Sequence, residues 1–203
     1  MKLPPRVLPV TPGLCRAGAT ASLLRELSDI KSAGAGGVLL REPSLPDKEL
    51  LELARAAREI FHDGWLGVHD RAHVAMSVCA DGVHLGYQSL APEEAKELLG
   101  LEFSVGHSQH AAELEQPTMA ADYRFLSPVY PTPSKPAGIQ TLGLSGLRSA
   151  SMLERTWALG GIGPDEVLEV LDCGPAGVAA ISGVFSGGRA GANLEAMLRA
   201  SGA

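Results

Sequence analysis

The sequence predicts a single α/β domain folded as a (β/α)8 TIM barrel. Short apolar runs alternate with longer amphipathic segments, and this alternation occurs eight times along the chain. The short runs are apolar throughout, which is typical of parallel strands buried on both faces of a sheet. The chain has 203 residues, near the lower size limit of such a barrel at about 200 residues. An open doubly wound sheet is the alternative, but eight strand–helix units of similar length favour one closed barrel over residues 1–203.

The first four strand–helix units carry the clearest pattern. Leu23, Leu27 and Ile30 recur at helical spacing, and Leu50, Leu53 and Ala57 repeat it, so each segment has one apolar face to pack on the sheet. The predicted strands are Val7–Thr11, Gly37–Arg41, Trp65–His69 and Gly82–Leu85, and the helices after them are Ser22–Ala33, Pro46–Phe61, Ala72–Cys79 and Ala91–Leu99.

The second half continues the alternation with shorter helices and one long loop. The loop Pro128–Leu142 follows the sixth strand and is rich in proline and small polar residues. The predicted strands are Phe103–His107, Tyr123–Ser127, Thr156–Gly160 and Val178–Ser182, and the helices are His110–Glu115, Leu144–Leu153, Pro164–Leu171 and Asn193–Arg199.

The composition indicates which binding partners and which cellular compartment to expect. A net charge of -6 argues against a nucleic-acid partner, which favours a basic surface. No apolar run approaches the ~20 residues that cross a bilayer, and the first residues lack the apolar region of a signal peptide. The three cysteines have no metal-type spacing and indicate reduced thiols. We therefore expect a cytoplasmic protein without a membrane partner. Because aromatic residues are only 4%, we expect an aliphatic core.

The active site of a barrel lies at the C-terminal ends of its strands. Polar residues follow most of the predicted strands, and they are candidates for binding and catalysis. They are Arg41 and Glu42, His69 and Asp70, His84, Tyr87, Gln88 and Ser89, His107, Ser108 and His110, Ser127, and Thr132, Ser134 and Lys135 of the long loop.

Glycines after the last two strands predict a phosphate site. The run LGGIGPDE places Gly160 and Gly161 after the seventh strand, and ISGVFSGG places Ser182 and Gly183 after the eighth. Glycine lets backbone N–H groups approach an anion, and phosphate sites of these barrels are commonly built from these two loops. The alternative is that the glycines only form tight turns, but their presence in both loops favours phosphate binding.

More than one role fits each of the charged candidates Arg41, Asp70 and Lys135. Arg41 ends an apolar strand and needs an anionic partner, which is either Glu42, Asp70 or a substrate phosphate. Asp70 either binds Mg²⁺ or caps the next helix. Lys135 is either a cation on a mobile lid or a solvated charge.

Several of these runs resemble the thiamine phosphate synthase/TenI family, and the resemblance covers nearly the whole chain. ADGVHLGYQSL around the fourth strand and LSPVYPTPSKP after the sixth are the most specific. The other runs are VLLREPSL, VHDRAHVAM, VGHSQH, LGGIGPDEV and GVAAISGVF. Synthases of this family join a pyrimidine pyrophosphate to a thiazole phosphate with Mg²⁺ and release pyrophosphate.

The resemblance implies roles for matching residues. Arg41 matches a pyrophosphate contact and Asp70 a Mg²⁺ ligand, while Gly161, Ile181 and Ser182 match the phosphate cradle. The matches to pyrophosphate or thiazole-phosphate contacts are Ser108, Thr132, Ser134 and Lys135. No organic cofactor is implied, and Mg²⁺ is expected only if synthase activity is retained.

Four positions depart from the synthase pattern, and they fall on the pyrophosphate half of the site. Leu39 replaces a glutamine, Pro43 a lysine, His69 an asparagine and Ser89 an aspartate. We therefore expect a TenI-like protein that binds a thiazole phosphate, or thiamine phosphate, and tautomerises a thiazole carboxylate phosphate.

The histidine of such tautomerases falls at Pro128, so the catalytic candidates here are His69, His107 and Lys135. The alternatives are a divergent synthase and a non-catalytic thiamine phosphate-binding protein, and a homodimer is left open.

Overall fold

A computed structural model describes residues 1–86, 89–100, 102–110, 120–132, 138–150 and 153–202. Eight strands in these ranges form one parallel sheet. The strands are β1 (Val7–Pro9), β2 (Gly37–Leu40), β3 (Trp65–His69), β4 (Gly82–Leu85), β5 (Ser104–His110), β6 (Tyr123–Ser127), β7 (Thr156–Leu159) and β8 (Gly177–Ala180). The helices are α1 (Thr20–Ser32), α2 (Asp47–Ile60), α3 (Ala72–Ser77), α4 (Pro92–Leu99), α5 (Gly143–Arg148), α6 (Val167–Leu171), α7 (Ser182–Phe185) and α8 (Ala190–Ser201).

The sheet closes on itself between its first two strands. Its hydrogen-bonded order is β1-β8-β7-β6-β5-β4-β3-β2, so β1 and β2 are the two edges. A parallel bridge joins Val10 to Leu39 across these edges, and the N–H of Thr11 donates to the carbonyl of Leu39 at 3.0 Å. The predicted (β/α)8 barrel is therefore confirmed.

The space inside the barrel is filled largely by aromatic rings. Trp65, Tyr123, Phe125 and Trp157 pack there with aliphatic residues of β1 and β2. The rings fit because inward positions on neighbouring strands are glycine. A Cβ at Gly106 would lie 2.2 Å from the Tyr123 ring. The prediction of an aliphatic core is wrong for this inner layer, because both tryptophans, Tyr123 and Phe125 lie in it.

The layer between the barrel and its helices is aliphatic, as predicted. Leu27 and Ile30 of α1 and Leu50 and Leu53 of α2 are buried at their predicted helical spacing. Full burial of such a side chain stabilises the fold by about 1.5–3 kcal/mol. This layer fixes the strands and leaves the loops at their C-terminal ends to form a site.

The main differences from the predicted elements lie after β5 and β8. β5 continues to His110, which pairs with Ser127, so no helix begins there; the remainder of the predicted helix, 111–115, lies outside the described residues. The single turn α7 was not predicted, because four residues are too few to show a helical period. Within the described ranges, the helices are too short or too polar to cross a membrane.

Candidate active site

A cavity of about 310 Å³ opens at the C-terminal ends of the strands. Residues after β2 to β5 line one half of it, and residues after β6 to β8 line the other. The first half includes Arg41, His69, Asp70, Gly86, Ser108 and His110. The second half includes Ser127, Thr132, Gly160, Gly161, Ile181 and Ser182.

Arg41 lies at the cavity without an acidic partner in the described ranges. Glu42 is buried and accepts hydrogen bonds from the N–H groups of Gly13 at 3.1 Å and Cys15 at 2.8 Å. The side chain of Arg41 passes close to Gly13, where a Cβ would lie 2.7 Å from its Nη1 atom. Because Glu42 is occupied by this loop, the Arg41 guanidinium remains available to an anion in the cavity.

Asp70 is the centre of a hydrogen-bonded group at the ends of β3 and β4. Its Oδ1 accepts hydrogen bonds from the N–H of Gly86 at 2.8 Å and from the hydroxyl of Ser89, while its Oδ2 lies 2.8 Å from Nδ1 of His69. Burial raises the pKa of Asp70, but the hydrogen bonds from His69 and Ser89 lower it, and the net pKa is well below its usual range. Asp70 is therefore a carboxylate at neutral pH.

The surroundings of Asp70 fit it as a single ligand to Mg²⁺. A carboxylate has about four lone-pair positions, and the three contacts above leave one of them on Oδ2. Mg²⁺ is commonly held by one or two carboxylates together with substrate phosphates. Asp70 does not cap α3, whose N-cap residue is Arg71. Across the described ranges, no three His, Cys, Asp or Glu side chains are grouped to hold a metal ion.

Ser108 lies in the cavity wall above a buried histidine. The Oγ of Ser108 is 3.0 Å from Nε2 of His84, whose ring stacks on Phe125 with a centroid distance of 3.9 Å. Burial, and then the nearby His69 and His107, lower the pKa of His84 well below its usual value. His84 is therefore neutral in the folded protein.

Two glycines after β7 shape the opposite half of the cavity. Gly160 and Gly161 have φ angles of 105° and 69°, which side chains with a Cβ rarely adopt. A Cβ at Gly161 would also lie 2.7 Å from the Cβ of Tyr130. In the described part of the chain, the N–H groups of Gly161 and Ile162 donate to no protein acceptor. This backbone can hold an anion.

The loop after β8 packs tightly against the same segment. A Cβ at Gly183 would lie 2.1 Å from the carbonyl oxygen of Ile162. Ile181 and Ser182 line the cavity next to this contact, together with Leu159 and Pro128. The second half of the cavity therefore combines polar backbone with an apolar wall, which suits a small ring that carries a phosphate.

Most of the predicted site residues line this cavity. They are Arg41, His69, Asp70, Ser108, Thr132, Gly160, Gly161, Ile181 and Ser182. Gly183 is adjacent to the cavity and serves the packing of the two loops. Tyr87, Gln88, Ser134 and Lys135 lie outside the described residues. Gly86 was not predicted, although its position directly after β4 follows the same rule as the other residues.

The structure does not bring His107 to the cavity. Ser108 and His110 line the cavity, and successive side chains of a strand point to opposite faces of the sheet. His107 is paired in register with Leu85 of β4, which packs against Ala95 and Leu99 of α4. His107 therefore shares the face that is turned to the helices, and His110 is the β5 histidine at the cavity.

A family model and individual relatives both match this chain, and they indicate the same family. The model of a family described as thiamine monophosphate synthase matches residues 7–184. A thiamine-phosphate synthase of Laribacter hongkongensis is 36% identical over 183 residues, which are 87% of this chain and 85% of that protein. One of Moorella thermoacetica is 37% identical over 162 residues, 76% of each chain.

A solved structure shares the whole fold. The thiamine phosphate pyrophosphorylase from Pyrococcus furiosus superposes with a TM-score of 0.81 and 28% identity, over 97% of this chain and 95% of that one.

Proposed function

This chain belongs to the thiamine monophosphate synthase family, and on that premise we propose that it is a thiamine-phosphate synthase. It couples hydroxymethylpyrimidine pyrophosphate with hydroxyethylthiazole phosphate and releases pyrophosphate. The observation that carries this proposal is one cavity whose two halves both suit an anion: Arg41 on one side, beside Asp70 as a carboxylate for Mg²⁺, and the glycine backbone after β7 on the other. A tautomerase needs only the second half.

The relatives favour the synthase over the tautomerase expected from the sequence. Both curated relatives described above carry the synthase name. Pro128, which stands where the resemblance puts the tautomerase histidine, lines the cavity and cannot transfer a proton. The departures at Pro43, His69 and Ser89 are then changes within a synthase site rather than signs of a different reaction.

The thiazole phosphate binds in the half formed by β6 to β8. Its phosphate accepts hydrogen bonds from the N–H groups of Gly161 and Ile162 and lies near Ser182. Its ring lies on the apolar wall of Leu159 and Ile181. The coupling reaction requires the ring nitrogen to face the other half of the cavity.

The pyrimidine pyrophosphate binds in the half formed by β2 to β5. Arg41 and Ser108 contact the pyrophosphate, and Asp70 would hold one Mg²⁺, which would neutralise charge on the departing group. The bond between the pyrimidine methylene carbon and the pyrophosphate oxygen breaks, and its electron pair leaves with the oxygen. The thiazole nitrogen supplies the electron pair of the new C–N bond. Arg41 stabilises the negative charge that develops on the pyrophosphate.

The decisive experiment mixes both substrates with Mg²⁺ and measures thiamine phosphate and pyrophosphate. We expect equal amounts of both products from the wild type. Arg41→Met should lower the rate about 100-fold or more, because it removes the cation opposite the departing charge. Arg55→Met, on the exposed face of α2, is the matched control and should retain the rate.

The same preparation is tested on the thiazole carboxylate tautomer, with absorbance as the readout. Aromatisation without any release of pyrophosphate in the coupling assay would overturn the proposal in favour of the tautomerase. Tight binding of thiamine phosphate with no turnover in either assay would overturn it in favour of a binding protein.

A further inference from the structure

His84 lies under the pyrophosphate half of the cavity and is hydrogen-bonded to Ser108, which lines it. Its side chain is 1% exposed, and it is packed between Phe125 and His69, with ring centroids at 3.9 Å and 5.6 Å. Its Nε2 is 3.0 Å from Ser108 Oγ, while its Nδ1 is buried and has no partner in the described part of the chain. The ring thus has one hydrogen bond and one unused nitrogen.

A neutral imidazole carries one proton, so the hydrogen bond has two possible directions. If Nε2 accepts from Ser108, the proton of His84 lies on Nδ1 as a buried donor without an acceptor, which is a rare arrangement in folded proteins. If Nε2 donates, Nδ1 is a bare acceptor. The second arrangement leaves the hydroxyl proton of Ser108 unused and free to turn toward the cavity.

The surroundings of Nδ1 favour the second arrangement. A Cβ at Gly106 would lie 2.2 Å from Cζ of Tyr123 and 2.6 Å from Nδ1 of His84, so the phenol and this nitrogen converge over the same glycine. The Tyr123 hydroxyl is also buried without a partner in the described ranges. The two groups form no hydrogen bond with each other in the described ranges, so a proton on Nδ1 has no acceptor, and a bare Nδ1 is the less costly state.

The alternative is that His84 is a base that activates Ser108 as a nucleophile. That role requires His84 to take up a proton and become a buried cation. The side chain is 1% exposed and stacks on Phe125, and in the described ranges its ring is hydrogen-bonded to no carboxylate that would stabilise such a cation. The environment of His84 therefore suits a fixed donor and does not suit a base.

We propose that His84 is a positioning residue: it donates a hydrogen bond from Nε2 to Ser108 and so directs the Ser108 hydroxyl proton to the bound pyrophosphate. The inference rests on the proposed function for the identity of the anion. It goes beyond that function because it assigns a task to a residue that does not touch the substrate.

The binding test uses inorganic pyrophosphate as the probe and calorimetry as the measurement. His84→Phe keeps an aromatic ring on Phe125 but removes the donor, and we expect about tenfold weaker binding. Ser108→Ala should cost about the same, and the double variant should cost no more than either single one. His84→Gln places an amide N–H near the position of Nε2 and should restore most of the affinity.

Two controls separate positioning from damage to the fold. Thiazole phosphate binds in the other half, so its affinity should be unchanged in every variant. Tyr123→Phe, which keeps the ring, should leave pyrophosphate binding within about twofold. Equal pyrophosphate affinity of His84→Phe and wild type, or fully additive losses in the double variant, would overturn the proposal.

The direction of the hydrogen bond is tested by ¹⁵N NMR of the histidine rings, with His84→Gln used to assign the signal. We expect the proton on Nε2, and a proton on Nδ1 would overturn the proposal. Neither measurement requires turnover. If the wild type makes no thiamine phosphate but keeps the Nε2–H form and the coupled pyrophosphate binding, only the proposed function fails. If the wild type does not bind pyrophosphate, the positioning role is itself overturned.

Discussion

The carboxylate of Glu42 accepts a hydrogen bond from the backbone N–H of Cys15 at 2.8 Å, and both groups are buried. Together with the bond from Gly13, this contact ties the loop after β1 to the end of β2, where Arg41 lies. The predicted alternative in which Glu42 is the ionic partner of Arg41 is therefore wrong. Glu42 instead supports the loop that lies beneath the Arg41 guanidinium.

Glu42→Ala should destabilise the protein and weaken pyrophosphate binding. Two backbone N–H groups lose their acceptor, and we expect the free energy of unfolding to fall by about 2–4 kcal/mol in urea titrations. Glu49→Ala is the control, because Glu49 accepts a similar bond from Gly18 in an exposed position, and it should cost less than about 1 kcal/mol. Equal losses in the two variants would contradict this account.

Ser89→Asp should strengthen Mg²⁺ binding. Ser89 donates its hydroxyl to Asp70, so the substitution places a second carboxylate beside the first. Without metal the two negative charges repel each other, and we expect a loss of about 1 kcal/mol in stability. With metal, we expect about tenfold tighter binding, read from the rise in melting temperature with Mg²⁺ concentration. Ser89→Ala should show no such rise beyond that of the wild type.

Asp70 should make the stability depend on acid pH. Its pKa in the folded protein is depressed, so its contribution is fully present above the unfolded pKa of about 3.9 and is lost as the pH falls toward the folded pKa. Asp70→Asn should therefore be less stable than wild type at pH 7, and the gap should narrow below about pH 4. Asparagine tolerates the left-handed backbone of this position, where φ is 62°.

The control for this titration is Asp165→Asn, because Asp165 is an exposed carboxylate in the segment between β7 and α6. Its difference from wild type should stay nearly constant over the same pH range. A constant gap for Asp70→Asn as well would show that its hydrogen bonds do not lower its pKa.

Gly183→Ala should disturb both the fold and thiazole phosphate binding. The new Cβ would lie 2.1 Å from the carbonyl oxygen of Ile162, and the backbone of both loops has to shift. We expect a loss of about 2 kcal/mol in urea titrations and weaker thiazole phosphate binding by calorimetry. In Gly146→Ala, the nearest atoms belong to the flexible side chain of Leu142 at 3.3 Å, and stability should not fall. Wild-type stability in Gly183→Ala would refute the close-packing role.

The barrel was predictable because its signals are local and repeated. The helical spacing of Leu23, Leu27 and Ile30 and the apolar strand runs are readable without any tertiary contact. The strand-end rule then placed Arg41, Asp70, Ser108 and Gly161 correctly at one cavity. The end of β5 was missed because the run VGHSQH has no apolar alternation to show that the strand continues to His110.

The parts of the site that were not predictable depend on distant partners. Nothing near Glu42 in sequence shows that it holds the loop of Cys15, which lies 27 residues earlier. The exclusion of His107 from the cavity follows from the register of β5 against β4, and register is a tertiary property. The departures at Pro43 and Ser89 also could not decide between the synthase and the tautomerase reaction. Such a substitution shows that a contact is lost, but it does not show which reaction the remaining residues catalyse.

Both tryptophans of the chain, Trp65 and Trp157, contact Tyr123 edge-on inside the barrel, at centroid distances of 6.1 Å and 5.6 Å. Tryptophan fluorescence of this protein therefore comes from one region, the interior of the barrel near the N-terminal ends of β3 and β7. An unfolding curve followed by tryptophan fluorescence therefore reports the opening of the barrel interior and does not report fraying of the outer helices. Far-UV circular dichroism observes those helices, so the two optical signals separate loss of the helix layer from loss of the barrel.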